Sequence, residues 1–126
     1  MSPRRGARLL AYGRAALGLA VLAAPETVMS RWLGPDNARH GGVKDLGRGL
    51  AARDVGLAVA ALQTLDDPIV GPRVQVACAL ADAADAVSTL LERRSLPPLA
   101  VAGTVAVAGG ASVAGLWFAH RLAHED

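Results

Sequence analysis

Asp82 and Asp85 lie three positions apart in an otherwise apolar stretch, so on a helix their carboxylates leave from one face. Two carboxylates that close in a low dielectric do not readily both ionise. One can hold a proton that the other takes up, which suits general acid–base chemistry, and the same placement suits a structural ion pair. Arg53 and Asp54 are adjacent, about 100° apart around a helix, so at least one of them has to reach a neighbouring helix. These four, joined by Arg14, are the candidate site. As a catalytic set, Asp82 or Asp85 would be the acid, Asp54 the base or orienting group, and Arg53 the stabiliser of developing negative charge. As a structural set, they would be buried pairs that fix helix register. Ionisable residues inside a membrane favour function by default, and on the sequence both readings stay open.

Other chemistry is weaker. His120 and His124 have the four-residue spacing of a helical metal pair, with Glu125 and Asp126 beside them, but a solvated tail accounts for them equally well, and no metal is assigned. His40 reads as a loop histidine. Gly42, Gly47 and Gly49 form no phosphate loop, because the G-x-x-x-x-G-K-[ST] pattern is absent. There is no G-x-S-x-G serine, and Cys78, set in an apolar run without a neighbouring histidine, reads as a small core residue. Nothing in the sequence requires a cofactor.

The frame that must position these residues is set by composition. At 126 residues the chain makes one domain, 1–126. It holds 27 alanines and only four aromatic residues, and its charged share of 19% falls below the roughly 25% of soluble domains. A formal charge of +2 is too small to argue for nucleic acid, and the single cysteine excludes an internal disulfide.

The stretch from Ser95 to Ala119 carries no charge over 25 residues, enough at about 1.5 Å per residue to cross a hydrocarbon core of roughly 30 Å. A helix apolar on every side must be wrapped by protein or by lipid, and so short a chain cannot wrap it. Three further segments precede it, so the helices are expected at about 9–25, 49–65, 74–91 and 96–119. Two ionised aspartates at mid-membrane cost roughly 5–7 kcal/mol on insertion scales, more than the leucines and valines of the third segment return. That segment therefore needs a partner, and the arginines of the first two are at hand.

Asp66-Asp67-Pro68 with Gly71-Pro72 reads as one turn, Glu92 to Ser95 as another, and Gly34-Pro35 with Gly41-Gly42 as breakers in the long first connection. Within that connection Glu26 to Leu33 reads as a short amphipathic surface helix, with Val28, Met29, Trp32 and Leu33 towards lipid. Small residues at four-residue spacing suggest packing seams: Ala16, Ala20 and Ala24; Ala52, Gly56 and Ala60; Ala79 and Ala83; Ala106, Gly110 and Ala114. Arg4, Arg5 and Arg8 before an apolar run resemble a signal peptide, yet removing the first segment would strip the others of Arg14, so its retention is expected. Basic residues divide almost evenly between the two sides, and a cytoplasmic N-terminus is favoured only by the usual dominance of the first helix.

Three pieces carry a resemblance: Leu17-Gly18-Leu19-Ala20-Val21-Leu22-Ala23-Ala24-Pro25, Gly49-Leu50-Ala51-Ala52-Arg53-Asp54-Val55-Gly56-Leu57 and Asp82-Ala83-Ala84-Asp85. In these the chain resembles a family of small integral membrane proteins, found chiefly in actinobacteria, with the look of compact four-helix relatives of the DoxX-like group. The resemblance implies a four-helix membrane bundle and carries over no activity, substrate or cofactor.

The expectation is thus an all-α, four-span transmembrane bundle, multi-pass in a bacterial inner membrane. Its partners would be the lipid bilayer, a second copy or a membrane partner protein, and a lipophilic small molecule. Three functions remain: a non-catalytic membrane subunit or partner-binding bundle, a small enzyme doing acid–base chemistry on a lipophilic substrate, and proton or small-solute passage.

Overall fold

The computed structural model describes residues 1–124. Among these there are six helices and no strand: α1 (Pro3–Ala23), α2 (Pro25–Leu33), α3 (Pro35–Ala38), α4 (Gly41–Thr64), α5 (Val70–Leu91) and α6 (Pro98–Ala123). Each boundary has a local cause. The Ser2 side chain accepts from the Arg5 N–H, with Pro3 in the first turn, which starts α1. Pro25 keeps Ala24 out of the helical region, at φ −140°, which ends it. Gly34, at φ +88°, lets the chain swing from α2 into α3, a conformation that a side chain would oppose. Asp67 Oδ1 accepts from the N–H groups of Ile69 and Val70 at 2.8 and 2.7 Å and so caps the start of α5. Those bonds hold the exposed Asp67 carboxyl below its ordinary value of 3.8, the Val70 donor contributing most.

Two of the expected breakers are absorbed into helices. Gly41 and Gly42 open α4, with nothing within 4 Å of where a side chain would stand, so α4 begins eight residues earlier than 49. Gly71 and Pro72 lie in the first turn of α5, where a missing N–H breaks no helical bond. A side chain at Gly71 would meet the Thr64 carbonyl oxygen at 2.6 Å, which is why the α4–α5 turn is so tight. Likewise α1 begins at Pro3 rather than 9, because the arginine-bearing first turn is itself helical.

The long helices pack α1 on α4 and α5 on α6, and the two pairs meet through α4–α5 and α1–α6. Neighbours run antiparallel: Ala7 clusters with Leu65, Ala11 with Ala61, and Val21 with Ala51. Apart from Gly6, which is buried against Phe118 of α6, the buried positions along α1 are Ala7, Ala11, Gly18 and Val21, and along α4 they are Gly47, Ala51, Ala58, Ala61 and, at its end, Leu65. With Arg14 and Asp54 filling the gaps, both rows alternate steps of four and three, the 3.5-residue repeat of helices lying side by side. At Gly18 an added carbon would stand 2.9 Å from the Ala51 carbonyl oxygen, so the backbones touch there.

These seams are not the ones expected from sequence. Ala16, Ala20, Ala24, Ala52, Gly56, Ala106 and Gly110 are exposed, and of the expected set only Ala79 is buried. The amphipathic α2 also turns the other way from the expected lipid-facing placement. Met29 is buried, and Val28, Trp32 and Leu33 pack with it on Val21, Ala38 and Ala51. Trp32 Nε1 donates to Thr89 Oγ1 of α5 at 3.1 Å.

Outside, the surface is oily. Leu99 is 88% exposed, Leu91 72%, and Val107 and Val113 71% each. Three helices, α1, α5 and α6, are long and apolar enough to cross a membrane. Large apolar side chains turned outward around charged ones turned inward reverse the order of a protein packed for water. α4 is as long, but Lys44, Asp45, Arg48, Arg53 and Asp54 keep it outside that class on composition.

Candidate functional site

Asp54, in the middle of α4, is where the charged residues join. Its Oδ1 accepts from Arg14 Nη1 of α1 at 3.3 Å and from Arg53 at 3.1 Å through Nε and 2.9 Å through Nη2. Arg14 Nη2 continues to Asp82 Oδ2 of α5 at 2.5 Å and to the Cys78 carbonyl oxygen at 3.1 Å. Arg53 Nη2 reaches Asp85 Oδ2 at 2.8 Å, with Nη1 on Oδ1 at 3.4 Å. The five side chains therefore make one chain across three helices, in the order Asp82, Arg14, Asp54, Arg53, Asp85.

Depth and burial follow from the helices. Arg14 and Asp82 each stand nine residues before the end of their helix, Ala23 and Leu91, roughly 14 Å inward at 1.5 Å per residue. The side chain of Arg14 is 10% exposed, that of Asp82 15% and that of Asp54 16%, while Arg53 at 32% is the most open. Cys78 is buried beside them, its thiol 3.8 Å from the Leu57 carbonyl oxygen.

All four sequence candidates and Arg14 come together, but not as a pair of aspartates sharing a proton. Asp82 and Asp85 leave one face of α5 and engage different arginines. Arg53 and Asp54 each reach another helix and also bond each other. The other candidates lie apart. His124 Nδ1 stands 2.7 Å from the His120 carbonyl oxygen, with the rings 4.4 Å apart, and Glu125 and Asp126 fall outside the described residues. At the end of α6, Trp117 is half exposed beneath Arg121, 5.8 Å from the ring centroid, whereas Phe118 is buried against Gly6.

Sequence reasoning passed over Gln75, which is 3% exposed and whose Nε2 has no hydrogen-bond partner. It lines a narrow cavity with Arg14, Cys78, Asp82, Ala111 and Gly115. The signal was there, since Gln75 stands seven residues before Asp82 and hence on its face of the helix. Thr89, seven residues after Asp82, lies on the same face, as its spacing implies, and is buried. It joins Trp32 to the Asp85 carbonyl oxygen.

No known protein family, curated protein or solved structure matches the chain.

Proposed function

We propose that the chain is a four-span protein of a bacterial inner membrane, a non-catalytic subunit or partner-binding bundle in which the Arg/Asp chain holds the helices together. One observation carries this reading: the charged side chains at mid-depth are consumed by one another across α1, α4 and α5. A helix with unpaired aspartates is costly in lipid, and so is one with an unpaired arginine. Paired, they enter as a unit.

The fourth span rests on packing. α4 lies antiparallel along α1 from Leu65 beside Ala7 to Ala51 beside Val21, so it occupies the same depth, and its mid-depth charges are the paired ones. The resemblance to small actinobacterial membrane proteins agrees with this architecture and adds no activity. The enzyme reading is less well supported, since the cavity beside Asp82 measures about 10 Å³, too little for a lipophilic substrate.

Single cysteines placed at Ser2, Asn37, Pro68 and Ser95 in a Cys78→Ala background, labelled from each side, test the topology. Four spans put Ser2 and Pro68 on one side and Asn37 and Ser95 on the other. Asn37 and Pro68 on the same side would remove the α4 span. For the function, Asp82→Asn and Asp85→Asn are expected to lower melting temperature and membrane yield. Variants that stay as stable as the parent yet lose turnover of a lipophilic compound would instead make the site an enzyme's.

A further inference from the structure

The internal cavity between α1, α4, α5 and α6 is bordered by opposite charges on one side and by an orphaned amide on the other. Gln75 is almost fully enclosed, and its Nε2 finds no partner among the described residues. A buried amide left unpaired is rare in native proteins and calls for a partner. The cavity leaves about 10 Å³ for the centre of a water-sized sphere, the room that one water needs. Arg14 Nη2 and Asp82 Oδ2 are committed to each other, which leaves Asp82 Oδ1 with lone pairs to offer.

The chemistry of the lining narrows the guest. A cation would meet the Arg14 guanidinium, an anion the Asp82 carboxylate, and an apolar guest would leave the amide unpaired. Anything larger has no room. A guest that both donates and accepts suits either orientation of the amide.

We infer that this cavity is a binding site for a single water, which bridges the Gln75 amide to the Asp82 carboxylate and so ties the Arg/Asp chain to the α5–α6 interface. The charged chain then has six members, the sixth exchangeable with solvent. Gln75 acts here as a positioning residue for Asp82.

The test uses the full chain in lipid nanodiscs. Infrared difference spectra in ordinary and heavy-oxygen water are expected to show one sharp isotope-sensitive O–H stretch, and Gln75→Leu is expected to lose it and to melt at a lower temperature. Ala111→Leu, which fills the cavity from α6 while keeping the amide, is expected to lose the same band, and it answers the question if Gln75→Leu does not accumulate. A wild type without the band, a band that persists in either variant, or a Gln75→Leu protein that melts higher than its parent, as removal of a truly unpaired amide would make it, overturns the inference.

Discussion

Arg14 and Asp54 meet at 3.3 Å across the α1–α4 interface, each standing midway along the buried row of its own helix. The helices otherwise touch through apolar residues, alanine and glycine with Val21, Val55 and Leu65, so this contact carries the polar part of the interface. Arg14 also holds Asp82, and removing it leaves that carboxylate without its arginine while Asp54 keeps Arg53. Arg14→Leu is expected to cost about 3–5 kcal/mol, the usual effect of leaving a buried charge without its partner. Arg14→Lys recovers only part, because a single ammonium cannot span both carboxylates as the planar fork does. Adding Asp82→Leu to Arg14→Leu should restore stability relative to the single change, since Asp54 keeps Arg53. Thermal melts in detergent for the double-mutant cycle measure this. A double variant less stable than the sum of the two singles would show that the pair is not what holds α5 to α1.

Gly18 and Gly13 share α1 and differ in surroundings. A side chain at Gly18 runs into the Ala51 carbonyl oxygen and Val55 Cγ2, both at 2.9 Å, whereas Gly13 has nothing within 4 Å. Gly18→Ala should push α1 from α4 and destabilise by about 1–3 kcal/mol, the range for overpacking a close contact. Gly13→Ala should be neutral or stabilise by up to about 1 kcal/mol, through helix propensity alone. Equal melting temperatures for the two variants would show that the helices are not in close contact at Gly18.

The face that each helix buries could have been read from its charges. On α1 the buried positions other than Gly6, which faces α6, are 7, 11, 18 and 21, and they lie at −7, −3, +4 and +7 from Arg14. On α4 the buried positions 47, 51, 58 and 61 stand in the same relation to Asp54, and on α5 Gln75, Cys78, Ala79, Ala86 and Thr89 lie within seven residues of Asp82 on its side. Ala16, Ala52 and Gly56 are two residues from a charge, on the opposite face, and are therefore exposed. Small-residue spacing alone cannot choose among faces in a chain so rich in alanine, whereas a charge that must be turned from lipid can. The helical class, the count of long helices and the pairing of Asp82 and Asp85 with arginine as one open reading were legible. The role of α2 was not, because an amphipathic face fits a lipid surface and a protein groove equally well until its neighbours are known.

The two tryptophans sit in contrasting places. Trp32 packs inward and donates to Thr89 Oγ1, while Trp117 is 50% exposed on α6. In vesicles containing brominated lipids, the Trp32→Phe protein, which retains Trp117, should be strongly quenched, and the Trp117→Phe protein only weakly. Trp32→Phe should also lose about 1 kcal/mol with its hydrogen bond. Equal quenching of the two single-tryptophan proteins would return α2 to the membrane surface.

Asp67 gives the fold a dependence on acid that is separable from the buried chain. Its carboxylate accepts from the Val70 and Ile69 N–H groups, which lowers its folded-state value beneath the ordinary 3.8. A group whose pKa is lower when folded stabilises the fold at pH above its unfolded value, and that contribution fades as pH drops through the folded value. The melting temperature of wild type should therefore exceed that of Asp67→Ala by a constant margin above pH 3.8, and the margin should shrink below it. Asp67→Asn keeps an acceptor oxygen but no titrating proton, so above pH 3.8 it should fall between the two, and it should hold its difference from Asp67→Ala at every pH. A wild-type margin that survives undiminished at the acid end would mean that the cap works by shape rather than by charge.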